Sequence, residues 1–297
     1  MKKTQIVTHL MPSELEDYSD MLDKLNEGSR YLESHDWISI QATLNLSPVL
    51  IDWDNSSVDQ QHFKDYFEKL KEKCKWAKEV VFQVIEDDSI LGTTSQKREI
   101  IKGDYDQFIL LDGDMIFHET TLKYMLDTSY QVKGKYFITP QIVRLWDTSW
   151  DILVHKDYKH IEPKKNGYYR EHHPDLTLNQ KIDDVTVTLA PYFKFGCGWF
   201  TLYSKEVLDT TGIPEFLGHY GPEDTFMMAA SQIAVRKGHE INQYILNGIL
   251  VSENKIYRKN SYQDKLVYHD QKDQFRDEAW SKFNNGLKEF ELKCKQL

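Results

Sequence analysis

Two carboxylates follow an apolar run near the middle of the chain. Phe108 to Leu111 reads as a buried strand, and Asp112-Gly113-Asp114 comes directly after it. In open α/β sheets, ligands bind at the carboxyl ends of strands. Two carboxylates this close are costly to keep ionised unless a cation joins them, and a hard divalent ion binds carboxylates while bridging to phosphates. The spacing predicts a divalent-cation site; the alternative is a plain turn, for which Asp and Gly are equally suited.

A second acidic pair, Glu223 and Asp224, stands just before a helical pattern. One interpretation is structural, because Asp224 suits a helix N-cap and Glu223 favours the positive end of the helix dipole. The other interpretation is chemical, because a carboxylate that faces a hydroxyl group takes its proton as the oxygen attacks a carbon. This segment alone leaves both interpretations open.

The elements that must position these residues alternate between strand and helix over the first 130 residues, which predicts βαβ units and a parallel sheet. Ser13 and Glu16 form a predicted capping box at the start of the first helix. We predict strands over 4–10, 37–46, 80–85 and 106–111, and further helices over 59–76 and 94–102. The strand over 80–85 is expected to be buried.

The second half of the chain is less regular. Residues from about 144 to 184 are rich in His, Tyr, Trp, Lys and Asp with weak periodicity, and predict a long surface excursion. Strands are predicted over 185–195 and 241–251, and helices over 204–208 and 224–236. From Gln271 onward, Phe275, Ala279, Phe283 and Leu287 mark a terminal amphipathic helix.

Composition narrows the class of protein. The net charge is −10, from 37 basic and 47 acidic residues, and no long basic run is present, so we expect no nucleic-acid partner. The three cysteines lie too far apart in sequence for a disulfide framework or a metal cluster. No stretch approaches the roughly 20 apolar residues of a transmembrane helix. We expect a cytoplasmic protein, with peripheral membrane association and the oligomeric state left open.

Taken in order, these segments resemble the inverting GT-A glycosyltransferases with a DxD motif, of the family 2 type. Residues 94–101 match the polar, donor-contacting helix, Asp112-Gly113-Asp114 matches the DxD motif, and 195–224 matches the acceptor-side segment with its Glu-Asp pair. The resemblance implies a GT-A catalytic domain over 1–270, an α/β fold with a mixed central sheet and helices on both faces. Its Rossmann-like, nucleotide-sugar-binding half would span 1–130, and its acceptor half 131–270 with the insertion 144–184. The helix over 271–297 would follow that domain.

The resemblance also implies roles. Asp114 would bind Mn²⁺ or Mg²⁺, Asp112 would hold the ribose or the metal through water, and His269 is a candidate further ligand with Glu253 as its rival. The metal would neutralise the diphosphate of a nucleotide-sugar donor, with a UDP-sugar favoured. Asp224 would be the base that deprotonates a hydroxyl group of a glycan or other acceptor.

The walls of the site are assigned to residues at strand ends and near the two motifs. Lys97 and Arg98 would pair with the diphosphate, unless they only form an exposed helix face. Trp199 is the favoured platform for an acceptor sugar. The donor candidates are Thr8, Asn45, Asp88, Lys97, Arg98, Asp112 and Gly113, and the acceptor candidates are Gly198, Trp199, Tyr220 and Glu223.

Other classes share part of this pattern. A haloacid dehalogenase-type, Mg²⁺-dependent phosphohydrolase also places Asp-x-Asp after an apolar strand, with the first Asp as nucleophile. In that family the motif stands near the chain start and precedes Thr or Val, whereas here Met115 follows. A nucleotidyltransferase would need a Gly-rich, basic loop near the N-terminus. A non-catalytic sugar or nucleotide-binding module would be expected to lose a carboxylate, yet both acidic pairs are complete.

Overall fold

The computed structural model describes residues 2–33, 36–142, 182, 185–190, 200–253, 262, 264–269 and 271–294. The strands in these ranges are β1 (Lys3–Leu10), β2 (Trp37–Asn45), β3 (Glu79–Ile85), β4 (Gln107–Leu111), β5 (Met115–Phe117), β6 (Lys135–Ile142), β7 (Thr186–Leu189), β8 (Phe200–Ser204) and β9 (Ile241–Glu253). The helices are α1 (Leu15–Ser29), α2 (Gln60–Leu70), α3 (Thr93–Ile100), α4 (Thr121–Gln131), α5 (Lys205–Thr211), α6 (Glu223–Arg236) and α7 (Lys272–Lys293).

The described strands form one mixed sheet in the order β3-β2-β1-β4-β8-β6-β9-β5, with β7 paired to β9. The first four run parallel, as the βαβ pattern predicts. From β4 onward the sheet becomes mixed, because β8 lies antiparallel to both β4 and β6, whereas β9 lies parallel to β6. Since β1 and β4 are parallel neighbours, their carboxyl ends lie side by side.

Helices cover both faces of the sheet, and successive residues of β4 show why. Ile109 and Leu111 point into one core, which is completed by α1, α2 and α4. Phe108 and Leu110 point into the other, to which α5, α6 and α7 contribute. A strand buried on both faces reads as a continuous apolar run. The predicted α/β class, mixed sheet and helices on both faces are confirmed.

Three local predictions need correction. Residue Glu14, rather than Glu16, closes the N-terminal turn, because its carboxylate accepts a hydrogen bond from the Met11 amide at 2.8 Å. The helix predicted over 59–76 ends as an α-helix at Leu70 and continues as a 3₁₀ turn to Cys74. The strand β3 is not buried as expected: it lies at the sheet edge, and Val81 is 36% exposed.

Some of the predicted elements fall on residues that the structure does not describe. The surface excursion over 144–184 lies outside the described residues apart from position 182, as does the 191–195 portion of a predicted strand. Strand β6 and helix α4 were not predicted from the sequence. Among the described helices, none combines the length and the apolar character that crossing a bilayer requires.

Helix α7 is joined to the second core by its apolar stripe. Ala279 is 1% exposed and Phe283 7% exposed. The ring of Phe283 packs edge-on against Phe226 of α6, with a centroid distance of 5.9 Å. A Cβ atom at Gly286 would overlap the ring of Phe216, so this side of the helix closely approaches its neighbour. The proposed domain boundary at 270 stays a prediction, but α7 and α6 share one core.

Replacing Phe283 tests this contribution of α7. We expect Phe283→Ala to lower the free energy of unfolding by about 3–5 kcal/mol, because it removes a buried ring and leaves a cavity. Urea unfolding measures the loss. Leu292→Ala is the control on the same helix, since Leu292 is 61% exposed, and it should change stability by no more than about 0.5 kcal/mol. Equal effects from the two variants would contradict a core role for α7.

Candidate active site

A cavity of about 680 Å³ lies beside the carboxyl ends of the central strands β1 and β4. Its size falls in the range of small-molecule sites in proteins. The wall is formed by the ends of these strands, the entry to α3, the start of α6, and the first turns of α7. The acidic residues among its described lining are Glu14, Asp17, Asp112, Asp114, Glu223 and Asp224.

The Asp112-Gly113-Asp114 turn brings both carboxylates to this cavity. The side chain of Asp112 is 32% exposed, whereas Asp114 is 4% exposed. Gly113 passes directly over the end of β1, where an added Cβ atom would overlap the Leu10 side chain. A side chain at position 113 would therefore require the buried Leu10 side chain to move. The two acidic pairs, widely separated in sequence, share one cavity.

Lys97 connects these two pairs. Its Nζ atom lies 3.0 Å from Glu223 Oε1 and 3.4 Å from Asp112 Oδ1, and its side chain is 3% exposed. Burial alone would lower the pKa of Lys97, but the charges of Asp112 and Glu223 and the hydrogen bond to Glu223 raise it, so the ammonium group stays charged. The alternative that Lys97 only forms an exposed helix face is therefore wrong. Its predicted contact with a diphosphate stays a prediction.

Glu223 and Asp224 differ in their surroundings although they are adjacent. Glu223 is 7% exposed, and while its Oε1 atom faces Lys97, its Oε2 atom accepts a hydrogen bond from Thr94 Oγ1 at 3.0 Å. Asp224 is partly exposed at the cavity, and its Oδ1 atom accepts a hydrogen bond from the Thr225 amide at 2.6 Å. These hydrogen bonds of Glu223 hold α3 against α6. Its predicted contact with the acceptor stays a prediction.

His9 is a lining residue that the sequence did not identify. It lies near the end of β1, and only 7% of it is exposed. Burial, together with the charge of Lys97, lowers the pKa of His9 to about 3. The imidazole is therefore neutral at physiological pH. A neutral imidazole offers one hydrogen-bond donor and one acceptor, and adds no charge to the cavity.

The predicted metal ligands are only partly brought together. Asp112, Asp114 and the exposed His269 all line the cavity. Among the residues that the structure describes, however, no three His, Cys, Asp or Glu side chains are grouped closely enough to hold a metal ion. Glu253, the rival ligand, pairs with Met115 through the backbone, and its side chain lies outside the described part of the chain. The metal site, with all of its ligands, stays a prediction.

Three of the predicted donor contacts lie outside the described cavity lining. Asn45 is fully buried, and its side-chain amide donates to the Leu91 carbonyl at 2.8 Å and accepts from the Ser47 amide at 3.0 Å. It therefore holds the loop after β3. Thr8 is 1% exposed and lies beneath Gly113, and Asp88 is exposed on that loop.

Arg98 also lies outside this lining, although Lys97 next to it lines the cavity. Its guanidinium group donates to the carbonyl of Pro214 at 2.8 Å and to that of Gly218 at 3.1 Å. These bonds fasten the loop that leads to the Glu-Asp pair. The predicted contact of Arg98 with a diphosphate stays a prediction.

Only part of the predicted acceptor wall falls on described residues. Tyr220 lines the cavity as expected, but Gly198 and Trp199 lie outside the described residues. Helix α7 also contributes Phe275, Arg276 and Trp280 to the cavity lining. The apolar spacing of the terminal helix was visible in the sequence, but nothing in that spacing indicated that one side of it reaches the site.

The chain matches no protein-family model and no curated protein sequence. Among solved structures, it is similar to TarS of S. aureus, at 12% identity and a TM-score of 0.44 over 82% of this chain and 36% of TarS. It is similar to GalNAc-T7 with UDP, GalNAc and Mn²⁺, at 11% identity and a TM-score of 0.46 over 85% of this chain and 44% of GalNAc-T7. It is also similar to the mannosyltransferase PcManGT from Pyrobaculum calidifontis, in complex with GDP-Man and Mn²⁺. The identity is 10% and the TM-score 0.48, over 88% of this chain and 59% of PcManGT. The chain thus spans 36% to 59% of the length of these proteins. Because the TM-scores are below 0.5, the function proposed below rests on this chain's own residues.

The buried imidazole of His9 predicts a specific acid sensitivity. Between pH 6.5 and about 3, the unfolded chain binds a proton at position 9 that the folded chain does not, so stability falls as the pH falls. Between pH 7.5 and pH 5, His9→Gln should lose about 2 kcal/mol less free energy of unfolding than the wild type. Urea unfolding at both pH values measures this difference. Thr8→Val, a neighbouring buried change without an imidazole, should keep the wild-type dependence; an unchanged dependence in His9→Gln would contradict the prediction.

Proposed function

We propose that this protein is an inverting, metal-dependent glycosyltransferase of the GT-A type. It would transfer a sugar from a nucleotide-sugar donor, with a UDP-sugar favoured, to a hydroxyl group of a glycan or other acceptor. One observation carries the proposal: Asp112 and Asp114 at the end of β4 share a cavity with Asp224 at the start of α6. A donor-holding pair and a base thus face the same space.

The charge of the cavity supports a divalent cation. Six carboxylates but only two Lys or Arg side chains, Lys97 and Arg276, are among the described lining residues. A diphosphate entering this cavity would meet net negative charge. A hard cation held by one or two carboxylates, with the remaining ligands supplied by phosphates and water, fits Asp112 and Asp114 without a protein cage. When bound, Mn²⁺ or Mg²⁺ would neutralise the charge that develops on the leaving diphosphate.

The environment of Asp224 supports its assignment as the base. It lies at the N-terminus of α6, where negative charge is favoured, and it is partly exposed at the cavity. In the proposed reaction, Asp224 accepts the proton of the acceptor hydroxyl as that oxygen bonds to the anomeric carbon. The bond from the anomeric carbon to the diphosphate breaks, and the nucleoside diphosphate leaves with the electron pair. A single displacement inverts the anomeric centre.

Glu223 and Lys97 would act through position rather than through proton transfer. Both carboxylate oxygens of Glu223 are engaged, one by Lys97 and one by Thr94. Using Glu223 as a base would break a buried ion pair, which costs several kcal/mol. We therefore assign Glu223 the task of fixing the start of α6, so that Asp224 faces the cavity.

The donor class is tested by a thermal-shift screen of UDP, GDP, CMP and dTDP, each with and without Mn²⁺. A ligand that binds only the folded state stabilises it by about 2.7 kcal/mol at a hundredfold excess over its dissociation constant. We expect a Mn²⁺-dependent shift with one nucleotide, which Asp114→Ala abolishes. Asp65→Ala, an exposed carboxylate of α2, should keep the shift. No nucleotide shift, but stabilisation by Mg²⁺ with a phosphate mimic, would favour the phosphohydrolase instead.

The base is tested by Asp224→Asn, which removes the proton acceptor while keeping the shape of the side chain. We expect kcat for transfer to fall by about 10²- to 10⁴-fold, with the nucleotide dissociation constant unchanged. Glu223→Gln serves as the comparison: it should lower the free energy of unfolding by about 3–5 kcal/mol, because one partner of a buried ion pair is removed. Equal loss of nucleotide binding and transfer in Asp224→Asn would sink the assignment of Asp224.

A further inference from the structure

We propose that Trp280 of α7 is the platform on which an uncharged acceptor sugar stacks. This inference rests on the proposed glycosyltransferase function and names the acceptor class and the residue that would select it. Large aromatic side chains present an apolar face of the kind that the C–H face of a sugar ring covers. The terminal helix would then determine acceptor specificity.

The indole ring is both exposed and held in place. Trp280 lines the cavity and is 47% exposed, which is unusual for so large a side chain inside a folded domain. The ring packs against Phe283 in a tilted arrangement, at a centroid distance of 4.9 Å, and Phe283 belongs to the second core. The ring is therefore anchored on the core side and open on the cavity side.

The helix also lies beside the residues that carry the proposed base. A Cβ atom at Gly221 would come within 2.8 Å of the Ala279 side chain, so the turn before Glu223 and Asp224 closely contacts α7. One turn earlier in the helix, Phe275 packs edge-on against His219 at 5.4 Å. The helix that carries Trp280 thus packs beside the turn before Asp224, and both residues line the same cavity. This placement favours the acceptor over the nucleotide as the partner of Trp280.

The charges around Trp280 favour an uncharged sugar. Carboxylates outnumber Lys and Arg among the described lining residues, so an anionic acceptor would be repelled. Arg276, the cation on the same helix, already pairs with Asp273 at 2.8 Å and lies 3.9 Å from Asp277. Its charge is balanced before any substrate binds. A neutral ring that stacks on the indole avoids this electrostatic cost.

The experiment measures transfer to p-nitrophenyl glycosides from a panel of sugar donors that carry the nucleotide identified by the screen. Neutral acceptors are the glucoside, galactoside, mannoside and N-acetylglucosaminide, and the acidic one is the glucuronide. We expect the wild type to use a neutral glycoside, and Trp280→Ala to raise its KM about tenfold with the nucleotide shift unchanged. Trp280→Phe, which keeps an aromatic face, should stay within about threefold of the wild type. Leu292→Ala is the control on the same helix, outside the cavity.

Each other outcome overturns the inference in a distinguishable way. A wild-type KM in Trp280→Ala would show that the ring does not bind the acceptor. Loss of the nucleotide shift in that variant would assign the ring to the donor. A wild type that binds a nucleotide but uses only the glucuronide, or none of these glycosides, would contradict the uncharged acceptor. Failure of the wild type to bind any nucleotide would instead remove the proposed function itself.

Discussion

The cavity depends on one buried ammonium group. Lys97 on α3 lies between Asp112, which follows β4, and Glu223, which begins α6. A buried charge left without its partner costs several kcal/mol, so these three positions constrain one another. The interaction fixes the distance between the turn proposed to hold the donor and the helix that carries Asp224. It also separates the roles of two adjacent carboxylates, since Glu223 is engaged inside the protein and Asp224 remains at the cavity.

Local patterns predict β1, β2, β4 and the first three helices, because apolar spacing is a property of neighbouring positions; helix α4 was not predicted. The strand β3 shows where this reasoning ends. Its apolar residues indicate a buried strand, yet it forms the edge of the sheet and Val81 is partly exposed. Whether a strand is central or at an edge depends on strand order. That order is decided by contacts between distant segments, which local periodicity does not contain.

The same distinction applies to the candidate site. The Asp-x-Asp turn and the Glu-Asp pair are visible in the sequence, because their residue types and spacing are local. The separation of Lys97 from Arg98 is not: adjacent helical residues point about 100° apart, so Lys97 enters the cavity while Arg98 binds the 214–218 loop. Either cation fits a diphosphate by type alone. Only the packing of α3 decides which one lines the site.

Helix α7 packs against the helix that carries Asp224, on the proposed acceptor side of the cavity. A site built on helices that share a core holds its side chains more accurately than one built on loops. The contact of Phe283 with Phe226 and the close approach of Ala279 to Gly221 join α7 to the helix that carries Asp224. The position of Trp280 relative to the proposed base is therefore set by core packing. Because α7 follows the proposed catalytic domain in sequence, a change in its apolar stripe would alter the site without touching either acidic motif.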